Sequence, residues 1–246
     1  VEEYITNDEY IAQEKQDGER RMLITGPKIF GLNKKGTEVP LPDTIINSVL
    51  GERSHAADFI LDGEIIGNKL YVFDILSLNG NDMKSQPCVG RLNVLGTLKF
   101  DENIQVVETA YTTEQKRALF DKLKKENKEG IVFKKKNATY KHGRPASGGD
   151  QLKFKFQKTA TFIVANITKA KRSVGLELIE GSERIFMGKV TISPNYDVPE
   201  IGDLVEVRYL YAYKGGAIFQ PVYLGKRPDS DLTDCTMKQI IYKAER

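Results

Sequence analysis

From residue 161 onward the chain consists of short β-branched and aromatic runs separated by turn residues. Thr161–Thr168, Gly175–Ile179, Arg184–Ile192, Leu204–Tyr211 and Ile218–Leu224 follow one another in this way. Val, Ile, Thr, Phe and Tyr suit a pleated, half-buried surface, and five such strands in about 90 residues can bury a core in few ways. A small barrel of the oligonucleotide-binding kind is expected, with a fragment of a β-sandwich as the alternative.

Before Lys158 the pattern is mixed. Arg20–Thr25 reads as a strand after a turn at Asp17-Gly18, and Phe59–Ile66 and Lys69–Leu76 read as a hairpin joined by Gly67-Asn68. Asp43–Leu50 carries Ile45, Ile46, Val49 and Leu50 at helical spacing, with Gly51 placed to end the helix. A second helix is expected from Glu114 to about Glu126, opened by a Thr112/Gln115 capping box and facing inward through Leu119, Phe120 and Leu123. The polar, glycine-containing stretch 137–150 reads as a mobile loop. The fold class is α+β, with a first domain over 1–158 and a second, strand-rich one over 159–246.

Composition narrows the chemistry. Of 246 residues only two are histidine (His55 and His142) and two are cysteine (Cys88 and Cys235), which excludes a disulfide framework and a zinc site and argues against histidine-rich metal sites and a Ser-His-Asp machine needing several support histidines. A reducing, cytoplasmic setting fits this cysteine usage. No apolar run approaches the roughly 18 residues of a membrane span. The formal net charge of +3 permits nucleic-acid binding without announcing it. Val1 in place of an initiator Met leaves room for a preceding segment.

Several short constellations carry possible chemistry. Lys15-Gln16-Asp17-Gly18-Glu19-Arg20 sets a lysine, a carboxylate and an arginine around a glycine turn. A lysine nucleophile needs such neighbours for orientation, although a solvated Asp-Gly turn reads equally well. In Leu152-Lys153-Phe154-Lys155-Phe156, strand alternation would put both phenylalanines on one face and both lysines on the other. Two ammonium groups about 7 Å apart suit a phosphate chain, and would favour the neutral form of a nearby lysine by like-charge repulsion. An edge strand with lysines in water is the plainer reading. Glu64 and Glu129 offer hard oxygen ligands for Mg²⁺ or a ribose, and Phe73 an aromatic platform for a base. A turn carboxylate, a helix-end charge and a core ring are the ordinary alternatives for these three.

Taken together, the motifs K-x-D-G-x-R (from Lys15), D-G-E (Asp62–Glu64), Y-x-F-D (Tyr71–Asp74), E-G-I-V-F-K (Glu129–Lys134) and L-K-F-K (Leu152–Lys155) occur in an order that resembles the ATP-dependent DNA ligases. Their relatives, the RNA ligases and mRNA-capping guanylyltransferases, share that order. The segment Phe219–Asp229, with Arg227-Pro228-Asp229, resembles the last motif of DNA ligases, and Leu204–Tyr213 the barrel strand before it. The chain is therefore similar to the minimal bacterial or phage DNA ligases. That resemblance implies a nucleotidyltransferase (adenylation) domain of ATP-grasp-like antiparallel sheets with helices, followed by an OB-fold barrel.

The resemblance also implies roles. Lys15 would attack the α-phosphate of ATP to form lysyl-AMP, which passes to the 5′-phosphate of a DNA nick before the 3′-hydroxyl seals the strand. Asp17 and Arg20 would position the lysine and contact the nucleotide or the nick. Glu64 would bind ribose or metal, Phe73 would stack on adenine, Glu129 would serve the Mg²⁺, and Gln13 would read the adenine. Lys153 and Lys155 would hold the α-phosphate, and Arg227 and Asp229 would orient the pyrophosphate. Lys34 falls where DNA ligases often carry an arginine for the 5′-phosphate of the nick, and so offers a point charge in place of a bidentate fork. Lys135, Lys136 and Arg144 are further candidates for contact with DNA phosphates. The residues before Lys15 show no NAD⁺-recognising domain, so ATP is the expected cosubstrate. The expected partner is nicked duplex DNA, the expected state a monomer. The alternatives are an RNA ligase or guanylyltransferase with the same lysine chemistry, and a non-catalytic nucleic-acid-binding module.

Overall fold

A computed structural model of the protein describes residues 1–51, 58–142 and 149–243. It divides into two compact units, Val1–Lys125 with Glu129–Phe154, and Glu126–Lys128 with Lys155–Arg246. His55 and Arg144 lie outside the described residues.

The first unit opens with helix α1 (Glu2–Thr6) and strands β1 (Tyr10–Lys15), β2 (Glu19–Ile24), β3 (Phe30–Leu32) and β4 (Glu38–Val39). Helix α2 (Asp43–Gly51) precedes β5 (Phe59–Ile66) and β6 (Lys69–Leu78), which form the hairpin expected from Gly67-Asn68. Gly67 adopts φ +59°, a conformation L side chains rarely take, which the tight reversal requires. Then follow β7 (Asn81–Asp82), α3 (Cys88–Leu95), β8 (Ile104–Val106), β9 (Thr109–Ala110), α4 (Thr113–Lys125), β10 (Gly130–Lys135) and β11 (Gln151–Lys155).

These strands make two sheets. The larger runs β4-β3-β2-β5-β6-β7, with β8 added parallel to β6; the smaller runs β11-β10-β1-β9. Leu23, Leu61, Leu70, Val72 and Ile75 from the larger sheet share a buried core with Ile11 of β1, Ile45 and Val49 of α2, and Leu92 and Leu95 of α3.

Helix α4 begins with the expected capping box: Gln115 N–H donates to Thr112 Oγ1 at 3.3 Å, and Thr112 N–H to Gln115 Oε1 at 3.2 Å. Its buried face holds Leu119 and Leu123, but also Lys116, while Phe120 is only half-buried. The Lys116 ammonium is satisfied by the carbonyls of Tyr4, Asn7 and Tyr10 at 2.7–3.3 Å. These contacts seat the turn between α1 and β1, and so the start of the strand that ends in Lys15. Burial of the ammonium lowers the Lys116 pKa.

In the second unit β12 (Lys158–Thr168), β13 (Ser173–Glu180), β14 (Glu183–Thr191), β15 (Leu204–Tyr209) and β16 (Val222–Lys226) form one antiparallel sheet in the order β14-β13-β12-β15-β16. Its core gathers Phe162, Val164, Leu176, Leu178, Val205, Val207 and Tyr209. The expected closed barrel is not seen. Edge strands β14 and β16 are not paired as strands, and a single backbone bond, Ile218 N–H to Met187 O at 3.0 Å, runs from β14 toward the segment before β16. The reason lies in the sequence: Pro221 has no N–H to give a ladder, and Gln220 takes φ +53°. The run expected from Ile218 therefore becomes a strand only at Val222.

Candidate active site

The antiparallel pairing of β1 with β10 places Lys15 opposite Gly130, so Glu129 arrives beside the lysine. The Lys15 Nζ donates to the Glu129 carboxylate, and both side chains are largely withdrawn from water. Beyond Lys15 the chain reverses through Gln16-Asp17-Gly18, with Asp17 half-buried. A Cβ on Gly18 would stand 2.3 Å from the Ile65 carbonyl oxygen, so only glycine lets the turn pass so close to the larger sheet.

Strand β2 then carries Arg20 back beside β5, in register with Glu64. The Arg20 guanidinium engages both oxygens of buried Asp62 through Nε and Nη2, and Nη2 also stands 3.3 Å from the Tyr140 hydroxyl. Burial opposes the Arg20 charge, but the Asp62 carboxylate outweighs it and raises the pKa. Phe73 on β6 has the Arg20 guanidinium 5.1 Å and the Lys134 ammonium 4.9 Å from its ring centroid. Buried Lys134 donates to the Phe73 carbonyl at 2.8 Å.

In β11 the alternation is seen for Lys153 and Phe154, and the strand ends at Lys155, before Phe156. Phe154 turns inward against Tyr4 and Phe133, with ring centroids 5.6 and 5.7 Å away, and Lys153 takes the other face. Burial, reinforced by the charges of Lys15 and Arg20, lowers the Lys153 pKa. Burial likewise raises Glu64 to about 7; the Lys15 ammonium resists this and the Glu129 carboxylate adds to it.

Lys15, Arg20, Glu64, Phe73, Lys134, Lys153, Gln13 and Val132 line one small cavity of about 50 Å³. A neighbouring cavity of about 140 Å³ shares Arg20, Phe73, Lys134, Gln151 and Lys153 with it. Gln13 Nε2 donates to Thr109 Oγ1 at 2.8 Å, while its buried Oε1 has no hydrogen-bond partner among the described residues.

No group of three or more His, Cys, Asp and Glu that could hold a metal occurs among the described residues. Two carboxylates, Glu64 and Glu129, do face the same lysine. Magnesium is commonly bound by one or two carboxylates together with substrate phosphates and water, so this donor set fits Mg²⁺ and does not fit a metal that needs an all-protein cage.

Seven of the expected positions thus converge: Gln13, Lys15, Arg20, Glu64, Phe73, Glu129 and Lys153. Others lie elsewhere. Lys34 is exposed in the turn between β3 and β4, on a broad groove with an apolar floor of Met22, Ile24, Leu32 and Ile60. Lys135 borders only the neighbouring cavity of about 140 Å³, with its ammonium 3.7 Å from Glu9, and Lys136 is half-buried with its N–H on the Glu9 carbonyl. Lys155 belongs to the second unit and donates to Gln220 at 2.9 Å. Arg227 and Asp229, also there, pair with each other through two hydrogen bonds of 3.0 Å.

Sequence reasoning missed Val132, Lys134 and Tyr140. The first two fall inside E-G-I-V-F-K, where they read as an ordinary strand. Tyr140 falls in the stretch expected to be a mobile loop, yet its N–H is bonded to the Lys84 carbonyl at 2.8 Å, and Ala138 N–H to Lys135 O at 3.1 Å. Ala138 and Tyr140 are therefore held by backbone bonds, which composition does not reveal, while residues 143–148 of that stretch lie outside the described residues.

A lysine beside a carboxylate, an arginine on the returning strand and a lysine on a third strand thus meet between the two sheets of the first unit. Solved structures of DNA ligases share the fold. A Lig E DNA ligase matches with TM-score 0.66 and 17% identity, over 89% of this chain and 93% of that one. The ligase domain of LigD from M. tuberculosis matches with TM-score 0.53 and 17% identity, over 92% of each chain. In sequence, residues 67–155 match the model of the ATP dependent DNA ligase domain. A DNA ligase of Methanococcus aeolicus is 27% identical over 169 residues, covering 67% of this chain and 28% of that protein. A probable DNA ligase of Dictyoglomus turgidum is 30% identical over 132 residues, covering 52% and 22%. The chain spans about a quarter of the length of these curated relatives. No helix among the described residues is long and apolar enough to cross a membrane.

Proposed function

We propose that this protein is an ATP-dependent DNA ligase that seals 5′-phosphate/3′-hydroxyl nicks in duplex DNA through a lysyl-AMP on Lys15. The observation that carries the reading is the position of Lys15, ion-paired to Glu129 at the rim of a cavity that also presents Arg20, Lys153 and an aromatic ring.

Once the Lys15 ammonium has released a proton to water, its Nζ forms a bond to the α-phosphorus of ATP as the bond to pyrophosphate breaks, and the second N–H proton leaves to water as the phosphoramidate, with its neutral nitrogen, forms. Nucleotidyl transfer asks the protein for positioning and charge more than for covalent help, and here Lys153 and Arg20 supply cations while Phe73 and Val132 offer apolar surface to adenine. The unpartnered Gln13 Oε1 is an acceptor suited to the adenine amino group. Glu64 and Glu129 would hold Mg²⁺, which supplies neutralisation of phosphate charge. Asp17 contributes to the turn that holds Lys15 against Arg20. The AMP then moves to the 5′-phosphate of the nick, and the 3′-hydroxyl displaces it.

Residues 1–158 are assigned as the adenylation domain and 159–246 as an OB-fold domain. The order β14-β13-β12-β15-β16 and the Ile218–Met187 bond between its edge regions support that reading. Lys155, Arg227 and Asp229 are assigned to phosphate and pyrophosphate, and Lys34, Lys135 and Lys136 to the DNA backbone, with binding that weakens as salt rises. We take the protein to act as a monomer.

The test is to incubate the protein and a Lys15→Ala variant with Mg²⁺ and α-labelled ATP, then chase with a duplex carrying one DNA nick. Label on the wild type alone, leaving as sealed strand appears, is expected. Label that moves only to nicked RNA would replace DNA by RNA as substrate, and label from GTP alone would point to a guanylyltransferase. No label from either nucleotide, on protein shown to be free of AMP, would favour a binding module.

A further inference from the structure

Tyr140 is fixed from several sides. Besides the Lys84 carbonyl on its N–H, its ring meets His142 edge to face with centroids 5.3 Å apart, and the Arg91 guanidinium lies 5.9 Å from its centroid. Arg91 is itself immobilised: Nε and Nη2 each hold Asp74 at 2.8 Å, and Nη1 donates to the Ala138 carbonyl at 3.1 Å, two residues before Tyr140. From this anchorage the Tyr140 hydroxyl donates to Asp62 Oδ2 at 3.1 Å. Asp62 is only 1% exposed and accepts from Arg20 as well.

We propose that Tyr140 is a positioning residue for Arg20, setting the plane of the Asp62 carboxylate and through it the plane of the guanidinium. A guanidinium on a carboxylate can slide between side-on and end-on pairing. A third donor on Oδ2 removes that freedom by occupying one lone pair of the oxygen that Nη2 uses. Among the described residues Arg20 Nη1 makes no hydrogen bond, so it is the donor left to meet a substrate oxygen. The inference rests on the proposed role of Arg20 toward nucleotide or nick, and extends it to a residue outside all the ligase-like motifs.

The test compares Tyr140→Phe, Arg20→Lys and the double variant, with Lys15 labelling and sealing by pre-adenylylated protein measured separately. A hydrogen bond to a charged group is worth enough to slow the Arg20-dependent step about tenfold. Tyr140→Phe should therefore lower kcat of the same steps as Arg20→Lys with little change in KM. It should add nothing in the Arg20→Lys background. Tyr140→Phe within about twofold of wild type on every step, or penalties that multiply in the double variant, overturns the proposal. Solvent exchange of the Arg20 Nε–H, followed by NMR, gives a readout free of activity: faster exchange in Tyr140→Phe is expected, and equal rates also overturn it. Should that variant fold poorly, exchange protection of the wild-type Tyr140 hydroxyl proton decides the same point. Wild type that takes no label refutes the ligase reading alone, since the exchange measurement still judges Tyr140.

Discussion

Replacing Glu64 by Gln should stabilise the protein at neutral and alkaline pH while damaging the proposed activity. Glu64 stands on β5 opposite Arg20, at the cavity that Lys15 also lines. Burial raises its pKa from 4.5 to about 7, against the attraction of Lys15 and with the help of Glu129. Between those two pH values the folded protein keeps a proton that the unfolded chain has released. Folding stability therefore falls as pH rises through this window, the reverse of what a salt-bridged carboxylate does. A rise of that size corresponds to roughly 3 kcal/mol, and water at the exposed edge of the side chain trims it to about 2 kcal/mol.

Gln carries no charge to desolvate and matches protonated Glu in size. Urea unfolding of both proteins from pH 4.5 to 8.5 should give nearly equal stabilities at the acid end, with Glu64→Gln ahead by about 2 kcal/mol at the alkaline end. Taking the difference between the two proteins cancels every other carboxylate. A difference that stays flat across the range would refute the reasoning, because it would mean that Glu64 ionises in the folded protein as it does in the unfolded chain.

Two other substitutions test the frame of the site. Gly18→Ala puts a Cβ 2.3 Å from the Ile65 carbonyl and 2.6 Å from Ile66 Cγ1, so the Lys15–Arg20 turn must move; we expect a loss of about 2 kcal/mol in urea unfolding and slower Lys15 labelling, and wild-type values for both would show that the turn is not held there. Arg91→Leu leaves the Asp74 carboxylate buried and unpaired and orphans the carbonyls of Gln86 and Ala138; about 3–5 kcal/mol should be lost in thermal or urea unfolding, and a loss under about 1 kcal/mol would mean that Asp74 finds another partner.

Elements set by local chemistry were legible in the sequence. The β5–β6 hairpin follows from Gly67-Asn68 between apolar runs, α4 from its capping box, and the strands of the second unit from their composition. Features decided by distant contacts were not. Lys116 occupies a core position of α4 because three carbonyls of the α1–β1 segment converge on it, and helical periodicity alone would call that face interrupted. Lys134 reads as the polar end of a strand, yet it is buried beneath the Phe73 carbonyl and ring. The open edge of the second sheet depends on one proline and one left-handed glutamine, against a run whose apolar content favours continuing the strand. Within the site, Lys15, Arg20, Glu129 and Lys153 are recognisable from motif order, whereas the pairing of Arg20 with Asp62 and Tyr140 needs the sheet register to bring β2, β5 and residue 140 together.

The buried charges around Phe73 do not balance, and the imbalance has a direction. Arg20, Arg91 and Lys134 bring three cations to two buried carboxylates, Asp62 and Asp74. Two well-packed Arg–Asp pairs roughly offset their own desolvation, which leaves the Lys134 ammonium with a backbone carbonyl and a ring face but, among the described residues, no carboxylate in direct contact. Burial accordingly lowers its pKa, and Lys153 is lowered the same way. A polyanion entering this cleft would relieve the desolvation of those ammonium groups at the moment its own charge is removed from water, so part of its binding energy comes from a field built during folding. The same field explains why Glu64 remains raised despite facing Lys15: its desolvation is local, whereas the cations that favour its ionised form are shared with Glu129 and the buried aspartates. A site of this kind is less stable without its ligand than an apolar core of equal volume, and under the proposed function that difference would favour a phosphate over a neutral ligand of similar shape.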